Sequence, residues 1–227
     1  MAKGILYVMS TCVEGLVKIG MTGENNFEQR MYNLEKNGYN HISVLTREFA
    51  ILVNDYERKE KLLHEIFSKS RVGQSELFSV DLSLVKELMS SFDGKVIFPP
   101  NEEKDDIFEQ SAEITETKSG IIPDGIYTMK TKTKGFIATG TMEMKNGVLT
   151  VKAGSVLAPI GNISVKGWIQ KRNSLLMDGN VCKEDFVCDS PSMAAAIICG
   201  HNQNGWNIWK NSDGVSIDCY RNHSLND

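Results

Sequence analysis

The sequence predicts an α/β chain in two parts: an α/β domain over residues 1–98 and a mixed α+β domain over residues 121–227, joined by an acidic linker over residues 99–120. Three observations carry this reading. β-prone runs and amphipathic segments follow one another as ββαβαβα in the first part, which suits one compact α/β unit. Residues 99–120 hold 7 acidic and 2 basic side chains, open on Pro99-Pro100 and close on Ser119-Gly120. Short strands with tight-turn signals then open the second part. A chain of 227 residues has room for two small domains, since single cores run to about 100–200 residues.

Ile5 to Met9 and Leu16 to Ile19 are short apolar runs around Cys12-Val-Glu-Gly15, the pattern of a hairpin. Asn26 is a cap with Gln29 three residues on, and Phe27, Met31 and Leu34 recur at helical spacing until Gly38 ends the run. Ile42 to Val53 reads as a third strand. Asp55 to Ser68 reads as an amphipathic helix with Leu62, Leu63, Ile66 and Phe67 toward the core. Leu77 to Val80 is a short strand, and Ser83 caps a helix to about Ser91. The acidic stretch lacks the apolar surface to offset its chain entropy and reads as mobile, with a short docked helix around Ile107 and Phe108 as the rival reading. Beyond it, Ile126 to Lys130, Phe136 to Met144 and Val148 to Lys152 are strand candidates, the last two joined by Asn146-Gly147, a tight hairpin pair. Ser190-Pro191 starts a short alanine-rich helix that stops before Gly200.

With 41% apolar and 24% charged residues the composition is globular, and no apolar run approaches the roughly 18 residues of a membrane span. The start lacks a secretory signal, so a cytoplasmic protein with no membrane partner is expected. Net charge is −1 over residues 1–98, −5 over 99–120 and +2 over 121–227. Cys12, Cys182, Cys188, Cys199 and Cys219 contain no C-x-x-C; a zinc site near His201 can be drawn, but the spacings fit no knuckle pattern and buried thiols are expected. Trp206 and Trp209, three apart, read as core or domain-interface residues before base-stacking platforms.

No Walker loop, G-x-G-x-x-G, H-E-x-x-H or G-x-S-x-G occurs, which removes most nucleotide, dinucleotide, zincin and hydrolase readings. The first part instead holds Tyr7, Lys18, Arg30, Glu60, His64 and Glu76. Glu60 and His64 are four apart and share a helix face. Singly, each has a bland reading: Glu60 could pair with a lysine on a solvated face, and His64 could cover the edge of the core.

In order, they say more. Gly4-Ile-Leu-Tyr-Val8, Val17-Lys-Ile-Gly-Met-Thr22, an arginine in the next helix, Glu60-Lys-Leu-Leu-His-Glu-Ile-Phe67, Arg71 and Ser75-Glu-Leu-Phe-Ser-Val80 together resemble the GIY-YIG endonuclease family over roughly residues 4–90. The likeness is to its phage and bacterial branch with a K-I-G second motif. Lys18 stands where the broader family has a second tyrosine. The resemblance implies a central three-stranded antiparallel sheet with helices and a metal-dependent phosphodiester hydrolase, with DNA as partner and Mg²⁺ or Mn²⁺ as cofactor. It makes Tyr7 the candidate general base with the Lys18 ammonium stabilising its phenolate, and His64 a second candidate base. Arg30 offers a planar fork for phosphate oxygens, and Glu60 is the single carboxylate for the ion. Glu76 is expected to hold Lys18 or Arg71, or to stand behind the metal.

From Val151-Lys-Ala-Gly-Ser155 through Ser190-Pro-Ser-Met-Ala-Ala-Ala196 to Asn204-Gly-Trp-Asn-Ile-Trp-Lys210, the second part resembles an uncharacterised domain found at the C terminus of GIY-YIG and restriction-associated proteins. Lys130, Lys132 and Lys134 alternate, project from one strand face and are candidate contacts to a phosphate backbone; a merely solvated face is the plainer reading. A metal-dependent endonuclease is expected, and a binding module on a degenerate nuclease fold is the alternative.

Overall fold

The computed structural model describes residues 2–133 and 135–225, and the chain divides into two compact units, Met1–Ala112 and Glu113–Asp227. In unit 1, β1 (Lys3–Thr11) and β2 (Leu16–Gly23) form the expected hairpin, in a register that pairs Tyr7 with Gly20 and Met9 with Lys18. α1 (Phe27–Asn37) follows and ends at Gly38. Then come β3 (Leu45–Asn54), α2 (Tyr56–Ile66), β4 (Leu77–Ser79), α3 (Leu82–Ser90) and β5 (Gly94–Phe98). All pairings are antiparallel, in the order β4-β2-β1-β3-β5, so the three long strands sit centrally and two short ones extend the edges.

Strand alternation gives this sheet two buried faces. Ile5, Tyr7 and Met9 pack with Phe27, Met31 and Leu34 of α1 on one face; Leu6, Val8, Val17, Ile19, Phe49 and Ile51 pack with Leu63, Phe67, Val85 and Met89 on the other. Each large apolar side chain buried this way contributes about 1.5–3 kcal/mol. Arg47 on β3 binds Glu35 at 2.7 Å and Glu28 at 3.0 Å, pinning α1 to the sheet.

Two expectations for unit 1 are corrected and one element was missed. On α2 the inward stripe is Glu60, Leu63, His64 and Phe67, while Leu62 and Ile66 are 45% and 51% exposed; the helix is rotated so that two polar residues share the core side. The cap of α3 is Asp81, which accepts from the Ser83 N–H at 2.8 Å, so Ser83 lies inside the helix. The edge strand β5 was not anticipated. Its five residues are only partly covered, and their pairing partner on β3 lies some forty residues back in the chain.

Within the acidic stretch stands α4 (Lys104–Lys118), which crosses the division between the units. Ile107 is buried in the core of unit 1. In unit 2, Glu113 is buried and accepts from the Ser192 N–H at 2.8 Å. The sparse apolar content is thus spent on a few well-placed contacts.

Unit 2 contains β6 (Gly125–Thr133), β7 (Phe136–Lys145), β8 (Val148–Val151), α5 (Lys166–Ser174), β9 (Met177–Asp178), β10 (Val181–Cys182), β11 (Phe186–Cys188), α6 (Pro191–Cys199) and α7 (Gly205–Ile208). An antiparallel sheet ordered β11-β8-β7-β6 lays its inner face on α6. Asn146 and Gly147 both take positive φ, as the two-residue hairpin turn requires. Ser190 accepts from the Met193 N–H and Pro191 opens α6, as read from the sequence.

Trp206 and Trp209 are core residues. Cys182, Cys188 and Cys199 are buried, burial pushes the Cys199 thiol up to about 11, and among the described residues no three His, Cys, Asp or Glu stand together as a metal cluster. Cys12 is exposed, against the expectation of a buried thiol. Among the described residues, no helix is long and apolar enough to cross a membrane.

Candidate active site

Tyr7 and Lys18 project from neighbouring strands onto the same face of the unit 1 sheet, because Lys18 is flanked by the opposite-facing Val17 and Ile19. Both are buried, Lys18 with 0% exposure. A buried ammonium needs compensation. It has an ion pair to the Glu76 carboxylate and two aromatic rings, with Lys18 Nζ 4.4 Å from the Tyr39 centroid and 5.2 Å from that of Tyr7. The Tyr39 hydroxyl in turn accepts the Glu76 backbone N–H at 3.2 Å, so one tyrosine touches both members of the pair.

Arg30 reaches this group from α1, donating from Nε to the Tyr7 hydroxyl oxygen at 3.2 Å. That hydrogen bond is the first cause holding the Arg30 guanidinium above its ordinary value. Among the described residues no partner holds the two terminal amino groups of Arg30, and its side chain is half-buried. Gly20 completes the packing. A Cβ there would stand 2.7 Å from Tyr7 Oη and 2.9 Å from Lys18 Nζ, so the phenol and the ammonium converge over a residue with room only for hydrogen.

Glu60 and His64 enter from α2, on the other side of the sheet. His64 Nε2 lies 3.2 Å from the Ile19 carbonyl and its ring 4.9 Å from that of Phe78, which fastens α2 to β2. Glu60 lies 4.0 Å from His64 Nε2. Burial pushes the Glu60 carboxyl up; His64, Lys18 and Arg71 oppose this and Glu76 adds to it. Glu60 is buried, and the described group nearest its carboxylate is His64 Nε2 at 4.0 Å. Among the described residues no three His, Cys, Asp or Glu side chains stand together as a metal cluster, so Glu60 is a single carboxylate, which fits Mg²⁺ only where water and substrate phosphate complete the shell.

The arrangement therefore gathers Tyr7, Lys18, Arg30 and Glu76 into one contact network and sets Glu60 and His64 within its electrostatic reach. Tyr39 and Arg71 also belong to it. Arg71 donates to the carbonyl of Ser75 at 2.6 Å and shapes the loop that presents Glu76. Arg71 was visible beside Glu76 in the sequence, whereas Tyr39 carried no signal beyond its place after the glycine that ends α1. In unit 2, Lys130 and Lys132 are exposed on β6, while Lys134 lies outside the described residues.

Residues 4–93 match the family model of the T5orf172 domain, and residues 129–221 match that of a domain of unknown function, DUF4357. The first of these is a nuclease-like domain. No curated protein and no solved structure matches the chain significantly.

Proposed function

We propose that unit 1 is a GIY-YIG-type endonuclease site that hydrolyses phosphodiester bonds in DNA with the help of Mg²⁺ or Mn²⁺. The observation that carries this is the hydrogen bond from Arg30 to the Tyr7 hydroxyl, formed beside the buried Lys18–Glu76 pair within a nuclease-like domain. The guanidinium donating to the phenolic oxygen orients Tyr7 Oη as the base for an attacking water. The same guanidinium keeps its terminal amino groups for the phosphate oxygens, whose charge grows in the transition state. Glu76 holds Lys18 in place and Tyr39 covers it. His64, committed to the Ile19 carbonyl through Nε2, suits anchoring better than proton transfer.

Glu60 would hold the metal ion. When bound there, the ion supplies charge stabilisation at the leaving oxygen. Glu60→Gln keeps the shape and loses the ligand, so it should retain the wild-type melting temperature while cleavage of supercoiled plasmid in Mg²⁺ or Mn²⁺ disappears. Tyr7→Phe should slow cleavage by about 10²–10⁴, the usual worth of a general base. Cutting that persists in excess chelator, or in folded Glu60→Gln, overturns the metal assignment. A wild-type chain that binds DNA and never cuts it identifies a binding module instead.

A further inference from the structure

One face of the unit 2 sheet lies on α6, and the other carries a row of side chains that extends past β6. Alternation along β6 turns Tyr127 and Met129 into the core and Thr128, Lys130 and Lys132 outward. Lys210 then adds to the open side of β6. Thr128 N–H donates to Lys210 O at 2.8 Å, Lys210 N–H donates to Thr128 O at 2.9 Å, and Lys210 pairs in turn with Ser216. Opposed residues of an antiparallel pair share a face, and Trp209 and Ile217, the chain neighbours of these two, are core residues. Lys210 and Ser216 therefore stand outward beside Thr128.

On the other side of Thr128 the register runs through Thr141 of β7 to Lys152, whose N–H donates to the Thr141 carbonyl at 2.8 Å. Ser216, Lys210, Thr128, Thr141 and Lys152 thus form one row across the sheet. Every side chain in it can donate a hydrogen bond, and none is a carboxylate. Charge divides the row. Lys152 is matched by Glu143 at 3.3 Å and by Asp185. Lys210, with Lys130 and Lys132 beside it, is exposed, and among the described residues no carboxylate is ion-paired with any of the three.

A single small anion needs one such ammonium group. Three of them on an exposed face, spread over two adjacent strands with hydroxyls alongside, complement a chain of phosphates. The aromatic side chains of these strands, Tyr127, Phe136 and Trp209, pack in or against the core, so the outer face has no platform on which an unpaired base could stack. That favours a backbone whose bases stay paired. Phosphate contacts of this kind position a duplex and carry no sequence information. We propose that the outer face of the unit 2 sheet binds the backbone of double-stranded DNA, without regard to base sequence, through Lys130, Lys132 and Lys210 with the hydroxyls of Thr128 and Thr141 alongside. The proposal rests on the nucleic-acid reading of the chain, though not on cleavage by unit 1.

The test uses the full chain in excess chelator and fluorescence anisotropy with two probes, a blunt DNA duplex and one of its strands alone, each titrated with KCl. The duplex should bind more tightly than the strand, and duplexes of unrelated sequence should bind alike. Lys130→Gln with Lys210→Gln should weaken duplex binding about tenfold and flatten the log–log salt slope by about 0.9 for each lysine. Lys166→Gln with Lys171→Gln removes the same charge from α5, which packs against α6, and should leave the slope as in the wild type. Thr128→Glu, a further variant at an exposed position, sets a carboxylate beside Lys130 and Lys210 and should also weaken binding by about tenfold.

Folded variants of the outer face that keep the wild-type affinity and slope overturn the proposal. An equal loss in the α5 variant does so too, since the effect is then one of net charge, as does a wild-type chain that prefers the single strand. A wild-type chain that cuts no plasmid, yet loses duplex affinity in the variants of this face alone, loses the nuclease reading and keeps this one. One that cuts plasmid, with affinity and slope unmoved in those variants, does the reverse.

Discussion

Gly20 has room for a hydrogen and nothing larger. The Cβ of an alanine would come within 3 Å of both Tyr7 Oη and Lys18 Nζ. Both are buried at the centre of a packed face, so one must swing away, and the Arg30 hydrogen bond to the phenol goes with it. The strand itself tolerates alanine, since Gly20 holds no left-handed backbone. Gly20→Ala should therefore melt within a few degrees of wild type and lose about 10²-fold or more in cleavage rate, the scale of an ångström-sized misplacement. Wild-type rates in that variant would show that the Tyr7–Lys18–Arg30 cluster is packing alone. The same reasoning marks Lys18 as a residue whose neighbours matter more than its charge alone: Glu76 neutralises it, Tyr39 covers it, and Arg30 is the cation in hydrogen-bond contact with Tyr7.

At the scale of elements, α6 shows how a buried carboxylate is spent. Its first turn offers backbone N–H groups; Ser190 satisfies that of Met193, and Glu113 of α4 satisfies that of Ser192. Burial pushes the Glu113 carboxyl up, despite the Ser192 hydrogen bond and the Arg221 charge that oppose it. A folded-state value above the unfolded one means stability that is full at acid pH and declines as pH rises through the folded value. Thermal melts of Glu113→Gln, which keeps an acceptor and cannot ionise, should match the wild type near about pH 4 and gain on it by about pH 8. A constant difference across that range would remove Glu113 from the pH dependence. Elements with local punctuation were legible in the sequence: the β1–β2 hairpin, α1 ending at Gly38, the Asn146-Gly147 turn, and α6 with its Ser-Pro start. The rotation of α2 was not, because apolar Leu62 and Ile66 fit a core stripe as well as Leu63 and Phe67 do, and only the sheet decides between them. Motif order likewise brought forward Tyr7, Lys18, Arg30, Glu60 and Glu76, but not which of them touch, since Lys18 meets a partner 58 residues away.

At the scale of the whole chain, the acidic stretch decides how the protein can be divided. Read as a linker, it allows cuts after Phe98 and before Ile121 at no cost. Its buried positions argue otherwise. A fragment of residues 1–98 lacks Ile107, which is 2% exposed in the core of unit 1, and loses about 1.5–3 kcal/mol with it. A fragment of residues 121–227 lacks Glu113 at the start of α6 and the ion pair of Glu116 with Arg221, both inside unit 2. Fragments that keep α4 whole, residues 1–118 and 104–227, should therefore each melt several degrees above their shorter counterparts, because about 1 kcal/mol moves the midpoint of a domain this size by roughly 4–8 °C. Limited proteolysis of the full chain should spare residues 104–118 while cutting exposed loops. If the short fragments melt where the long ones do, and protease enters first between Lys104 and Lys118, the stretch is a mobile tether and Ile107 contributes nothing to the fold of unit 1.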